Sequence, residues 1–318
     1  MTIVFLGSSH FGLPCLEALL AGGHVLPLVV TQTPHPAGRG RKPSATPVAE
    51  WAANHAIPLI ETDDVNTPAI IESIAGHRPE VLVVIAFGQK IGKTLVNLPA
   101  RGAINVHASL LPRWRGAAPI NRAIMAGDTV TGVSIITLAD RMDAGHILAQ
   151  DETAIDPEET AGDLHDRLAL LATPLLVSTL DQIQHAAAVY RPQDESQVTL
   201  ARKLKKSDGY LDFGDAAEAL ARRIRGLWPW PGATADYLVR ESGRCVRVTI
   251  ASAEVVEGRP GLAPGILDDR LCVACGQGAL RVTAIKPAGS ALMEFKDFVN
   301  GRRTKPGDAF IQVQGLES

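Results

Sequence analysis

Gly102-Ala103-Ile104-Asn105-Val106-His107-Ala108-Ser109-Leu110-Leu111-Pro112-Arg113-Trp114-Arg115-Gly116 is the stretch on which the reading of the chain turns. It begins as a short apolar run, the pattern of a buried strand. Asn105 and His107 are two residues apart, so in a strand their side chains share one face. An amide and an imidazole then point the same way at the carboxyl end of that strand. Residues 109–112 end the strand, and a Trp between two Arg follows.

The flanking sequence builds a sheet around this stretch. Residues 81–86 are a continuous apolar run, the pattern of a central parallel strand, and end in Phe87-Gly88-Gln89. The chain opens with an apolar strand over 3–6, a helix over 11–20 and a second strand over 25–30. That β-α-β order predicts a parallel sheet with right-handed crossovers. Further helices are expected over 46–56, with Thr46 as N-cap and Pro47 in the first turn, and over 68–75, with a strand over 57–60. In open α/β sheets ligands bind outside the carboxyl ends of the strands. Phe87-Gly88 is therefore expected beside the end of the Asn105/His107 strand. Gly7 and Gly12 do not form G-x-G-x-x-G, and no P-loop follows, which disfavours a dinucleotide or P-loop site.

Beyond the central stretch, a helix over 118–126 and strands over 131–138 and 146–155 are expected. Between the two strands lies a tight acidic loop, Ala139-Asp140-Arg141-Met142-Asp143-Ala144-Gly145. Residues 159–187 carry Leu at helical spacing, with a break expected at Pro174. The loop over 31–43 is long for an α/β unit. Its Arg39, Arg41 and Lys42 beside Gly38 and Gly40 suit either a phosphate-contacting loop or a solvated surface.

From residue 189 the pattern changes. Residues 1–188 read as one α/β domain, 189–204 as a linker, and 205–318 as a second domain opened by a basic run. A helix over 216–225 precedes Trp228-Pro229-Trp230-Pro231. Short alternating strands over 235–239, 246–252, 271–273 and 280–285 then predict a small β-barrel, with a last helix over 293–300. The length of 318 residues suits two domains. The net charge of −3 is uneven: residues 1–190 carry −6 and residues 191–318 carry +3. A polyanionic partner fits the basic part, and so does ordinary scatter. No apolar run has transmembrane length. The first residues read as a strand rather than a signal peptide, so cytoplasm is the expected compartment. Four Cys make no disulfide framework. Cys272 and Cys275 have no matching pair, so they read as buried thiols and no metal site is expected.

The leading constellation is Asn105, His107 and Asp143. An amide donor, an imidazole and a carboxylate can stabilise a tetrahedral oxyanion and manage one proton. Ser109 stands in no nucleophile elbow, so a Ser-His-Asp hydrolase has little support.

Residues 105–120 resemble the hallmark of the folate-dependent formyltransferase family, and Met142-Asp143-Ala144-Gly145 resembles its acidic motif. The loop Pro36-Ala37-Gly38-Arg39-Gly40, residues 201–212 and Trp228-Pro229-Trp230-Pro231 resemble the members that act on a charged tRNA. The resemblance covers nearly the whole chain. It implies a Rossmann-like, mostly parallel sheet domain followed by an OB-like barrel. It implies 10-formyltetrahydrofolate as donor and methionyl initiator tRNA as acceptor, in a monomer with neither metal nor membrane. Asn105, His107 and Asp143 would be catalytic. Ser109, Leu110, Leu111 and Pro112, with Ile85, Ala86, Phe87 and Gly88 and with Ala139 and Asp140, would line the folate pocket, largely through main chain. Arg39, Arg41 and Lys42, and Lys203, Lys205 and Lys206, would contact tRNA. Ser8-Ser9-His10 and Phe213 depart from the family pattern without touching the chemistry. Relatives that formylate a sugar-nucleotide amine or hydrolyse formyl-folate share the chemistry but need no tRNA loop. A non-catalytic nucleic-acid-binding protein would be expected to have lost Asn105, His107 or Asp143.

Overall fold

A computed structural model of the chain describes residues 1–37 and 42–313, and of residues 35–37 and 42 only the main chain. The described residues fall into two compact units. One comprises residues 1–119, 130–154 and 165–201; the other comprises residues 120–129, 155–164 and those from 202 onward.

The first unit is built on a seven-stranded sheet. Its strands are β1 (Thr2–Gly7), β2 (Val25–Thr31), β3 (Leu59–Glu61), β4 (Val81–Ile85), β5 (Ala103–His107), β6 (Val130–Thr137) and β7 (Ile147–Ala154). Their spatial order is β7-β6-β5-β4-β1-β2-β3. The first five run parallel, and β6 is antiparallel to both its neighbours, β5 and β7. Residues 81–85 are wholly buried, as their unbroken apolar sequence requires. Helices Leu13–Ala21, Pro47–Asn54 and Pro68–Gly76 make the crossovers. Thr46 caps the second of these by accepting from Ala49 N at 3.0 Å.

The chain runs outward from β1 to β2 and β3, then returns to the other side of β1 with β4. That reversal opens a crevice at the carboxyl ends of β1 and β4. Ser8 follows β1 and ties the three strand ends together: its hydroxyl donates to Phe87 O (3.3 Å) and accepts from Gln32 N (3.2 Å). β5 is the next strand, in register Val84↔Asn105. The sheet therefore delivers Asn105 and His107 to the same edge.

Several expectations shift. The helix Ala161–Gln184 continues through Pro174. The lost hydrogen bond costs about 3 kcal/mol, but Leu168, Ala172, Leu176 and Leu180 on both sides of it are buried, and that burial outweighs one bond. The loop after β2 contains a small antiparallel ladder, His35–Ala37 with Lys42–Ser44. Met293–Glu294 pairs with a strand, and the last helix is Phe295–Arg302. Residues 189–201, read as part of a connector, belong to the first unit.

The second unit is an antiparallel barrel. Strands β8 (Ala233–Leu238), β9 (Cys245–Val256), β10 (Val273–Ala274), β11 (Ala279–Pro287) and β12 (Ala309–Ile311) lie in the order β10-β11-β9-β8-β12. Residues 265–267 close it. Ala274 N donates to Ile266 O (2.9 Å) on one side, and Phe310 N donates to Gly265 O (2.8 Å) on the other. Closure removes most of the free sheet edge. The helix Ala217–Leu227 buries Leu220, Ile224 and Leu227, and Phe213 lies in one core with Leu220 and Ile224. Cys272 and Cys275 are buried, and burial pushes the Cys275 thiol up to about 11. Among the described residues no His/Cys/Asp/Glu group could hold a metal, and no helix is long and apolar enough to cross a membrane.

Inside the barrel the Tyr237 hydroxyl donates to Asp308 Oδ2 at 2.6 Å and lies 3.0 Å from Thr304 Oγ1. Burial by itself pushes the Asp308 carboxyl up. Hydrogen bonds from Tyr237 and from the Lys305 and Arg240 amides outweigh it and hold the group below the usual range. A depressed folded value contributes stability that is fully present above the ordinary aspartate range and is lost as pH falls from there through the depressed folded value. Tyr237→Phe removes a hydrogen bond to a charged group and should cost about 1.5–3 kcal/mol at neutral pH. Urea unfolding checks this: the deficit should shrink once Asp308 is protonated, and an equal deficit at all pH values would contradict the assignment.

Candidate active site

His107 ends β5 and is buried. Its Nε2 lies 3.0 Å from Trp114 O. A carbonyl only accepts, so in this geometry Nε2 carries the hydrogen and donates. Nδ1 then faces Asp143, with Oδ2 at 3.7 Å. That is too long for a hydrogen bond but close enough for the carboxylate to act on any charge the ring acquires. Asp143 Oδ2 also accepts from Gly116 N at 2.9 Å. Asn105 is half-buried on the same face of β5 as His107. Its side chain makes no hydrogen bond to a described residue, so the amide is available to a ligand.

Two backbone conformations produce this arrangement. Asp143 has φ 53°, and Trp114 has φ 64°, both in a region most side chains avoid. Trp114 is held there by donation from its N–H to Thr199 Oγ1 (2.8 Å). Arg115 N donates to Thr199 O (2.9 Å). Arg115-Gly116 then runs as a two-residue parallel ladder against Leu200-Ala201. Gly116 has φ 129°, and a Cβ there would stand 2.5 Å from Ala201 O. Arg113 and Arg115 differ sharply. Arg113 is exposed and lies over the Trp114 ring, 5.5 Å from its centroid. Arg115 is buried, with Nη2 2.9 Å from Glu195 Oε1. Arg115 and Arg141 together hold the Glu195 carboxyl below the usual range.

The residues expected at a folate pocket fall into three groups. Ser109 and Leu111 are buried and engaged within the fold. Ser109 Oγ donates to Arg113 O (2.7 Å), Ser109 O accepts from Ser134 Oγ (2.7 Å), Leu111 N donates to Ser134 Oγ (3.0 Å), and Gln150 Nε2 donates to Leu111 O (2.9 Å). Leu110 and Pro112 are half-buried. The second group follows β4. Ala86 (φ 46°) and Gly88 (φ 80°) turn outward and are exposed, while the Phe87 ring is core, packed among Val84, Leu95 and their neighbours. Phe87 therefore offers main chain and not its ring, and Ile85 is buried with the strand. In the third group Ala139 and Asp140 are exposed, and Asp140 pairs with Lys93 at 2.9 Å.

Of the basic residues, Arg39 and Arg41 lie outside the described residues, and Lys42 is described only as main chain in its short strand. Lys203, Lys205 and Lys206 are exposed at the start of the second unit, and their ammonium groups pair with no described residue. Sequence reasoning missed Trp114 O, Gly116 N and Gln193. The first two are main-chain groups that no side-chain motif reveals; the third lies in the presumed connector.

A family model described as formyl transferase matches residues 1–180, and one described as formyl transferase, C-terminal domain, matches residues 203–303. A methionyl-tRNA formyltransferase of Roseobacter denitrificans is 42% identical over 313 residues, covering 98% of this chain and 99% of that protein. One of Methylobacterium sp. (strain 4-46) is 40% identical over 309 residues, 96% of this chain and 98% of that protein. In solved structures, an N-formyltransferase from Helicobacter canadensis, in complex with folinic acid and dTDP-3-aminofucose, matches with TM-score 0.62 at 15% identity, over 90% of this chain and 98% of that one. HypX from Aquifex aeolicus, in complex with tetrahydrofolic acid, matches with TM-score 0.61 at 15% identity, over 94% of this chain and 47% of that one. At such identities these two structures speak for the fold.

Gly116→Ala tests the ladder behind the site. The added Cβ and the disfavoured φ should cost about 1–3 kcal/mol and draw Gly116 N away from Asp143. Thermal melting and steady-state turnover should both fall; a variant unchanged in both would contradict the geometry.

Proposed function

The chain belongs to the formyl transferase family, and we propose that it transfers the formyl group of 10-formyltetrahydrofolate to the α-amino group of methionyl initiator tRNA, for translation initiation. Relatives of that name, about 40% identical over nearly the whole chain, support the acceptor. The observation that carries the chemistry is the Asn105 amide, unbonded among the described residues, on the same strand face as a His107 ring whose Nδ1 faces Asp143.

The reaction forms a bond from the amine nitrogen to the formyl carbon and breaks the bond from that carbon to the folate nitrogen. The amine loses one proton, and the departing folate nitrogen gains one. Negative charge develops on the formyl oxygen as the carbon becomes tetrahedral. Asn105 supplies a donor for that oxygen, in a half-buried setting where such a bond counts for more than in water. His107 is locked by Trp114 O, so Nδ1 is the ring position that can take the amine proton and return it. Asp143 holds a negative charge opposite that position and stabilises the ring while it carries the proton. Gly116 N keeps the carboxylate aimed.

The donor fits the crevice at the ends of β1, β4 and β5. Ala86 and Gly88 turn their main chain outward there, and residues 109–112 are stiffened by Ser134 and Gln150. Folate would be held against residues 85–88, 109–112 and 139–140. For the tRNA, Arg39, Arg41 and Lys42 would meet the acceptor end, and Lys203, Lys205 and Lys206 its phosphates. The enzyme acts as a cytoplasmic monomer without metal in this reading.

Formyl incorporation on methionyl-tRNA, compared with free methionine, tests the acceptor. Incorporation on the tRNA alone is expected; equal use of free methionine would overturn it. Replacing Arg39, Arg41 and Lys42 together should raise KM for the tRNA and flatten its salt dependence, because phosphate contacts release counterions. An unchanged salt slope would exclude the loop from the tRNA interface.

A further inference from the structure

Gln193 lies 50 residues beyond Asp143, in a polar segment whose sequence suggests only a connector. Its carboxamide is fully used. Nε2 donates to Asp143 O at 2.7 Å and to Gly145 O at 2.8 Å. Oε1 accepts from Arg115 Nε at 3.0 Å and from Arg115 Nη2 at 2.8 Å. The orientation of the amide follows from its partners: a guanidinium only donates and a carbonyl only accepts. Arg115 is itself held by Glu195, and the same Glu195 oxygen lies 2.9 Å from Arg141 Nη2 on the acidic loop.

We propose that Gln193 is a positioning residue for formyl transfer: oriented by the buried Arg115, its amide clamps the main chain of the Asp143–Gly145 turn so that the Asp143 carboxylate faces His107. The proposal rests on the reading of Asn105, His107 and Asp143 as the reacting groups. It follows from the closed circuit of bonds around them. Trp114 O takes His107, Gly116 N takes Asp143 Oδ2, and the intervening Arg115 side chain reaches Gln193, which returns to Asp143 O. Asp143 sits at φ 53°, a conformation that non-glycine residues keep only when their surroundings impose it. Gln193 holds the chain that follows, by bonding the carbonyl of Asp143 and that of Gly145. It touches none of the reacting groups' functional atoms, so where Arg115 keeps its partner the effect of Gln193 on the reaction passes through Asp143.

Two variants separate shape from hydrogen bonding. Gln193→Met keeps the length and loses all four bonds. Gln193→Glu keeps the partner for Arg115 but turns a carboxylate toward two carbonyl oxygens. Each is measured for kcat, for KM of both substrates and for melting temperature, alone and combined with Asp143→Asn. Both single variants should lower kcat about 10-fold, the scale of a small misplacement of a reacting group. KM for folate donor and tRNA should stay within about two-fold, and on Asp143→Asn the Gln193→Glu change, which keeps Arg115 partnered, should cost less than about two-fold more. Wild-type kcat in both single variants, or the same loss from Gln193→Glu on Asp143→Asn as on the wild type, overturns the proposal while leaving the catalytic reading intact. Wild-type turnover in Asp143→Asn alone overturns that reading, and the proposal with it.

Discussion

The site depends on a ladder only two residues long, Arg115-Gly116 against Leu200-Ala201. These segments are separated by about 85 residues of chain, so bringing them together costs loop-closure entropy that grows slowly with length. The return is local and specific. Main-chain bonds to Thr199 fix Trp114 and Arg115, and the carbonyl of Trp114 and the amide of Gly116 then reach His107 and Asp143. A parallel ladder has little energy of its own. Its strength comes from the buried Arg115, whose charge is matched by Glu195 and whose donors are taken up by Gln193. A buried guanidinium without those partners would be strongly destabilising.

The sheet contributes position and the ladder contributes orientation. Reversal of strand order between β1 and β4 opens the crevice, and β5 beside it carries Asn105 and His107 to its rim. A strand can set two side chains on one face, but it cannot choose which imidazole nitrogen is protonated. That choice belongs to Trp114 O, a group with no side-chain signature. The same division explains why Asn105 and His107 tolerate a buried strand. His107 is satisfied from outside β5, and Asn105 lies where the face meets the crevice.

What was legible in the sequence follows from this division. The run over 81–85 and the Asn105/His107 spacing are side-chain patterns with a period, and both led directly to elements of the sheet. The barrel strands were legible as alternation, though the closing segment at 265–267, joined by main-chain bonds, was not. Pro174 misled because propensity judges the missing bond and not the buried leucines around it. Gln193 was hidden for a related reason. A polar residue in a Pro-containing stretch reads as solvated connector, and only the fold shows both ends of its amide engaged. Phe87 gave a ring where the pocket would use only main chain.

The central claim is that the formyl carbon reacts at the end of β5, between the amide of Asn105 and the locked ring of His107. The most direct measurement is single-turnover formyl transfer by Asn105→Ala and His107→Ala, with donor binding measured in parallel by equilibrium titration. Loss of one preorganised donor typically costs about 10²–10³ in rate, so both variants should bind the folate donor as the wild type does and transfer its formyl group at least about 100-fold more slowly. Transfer at wild-type rates by both variants would contradict the account.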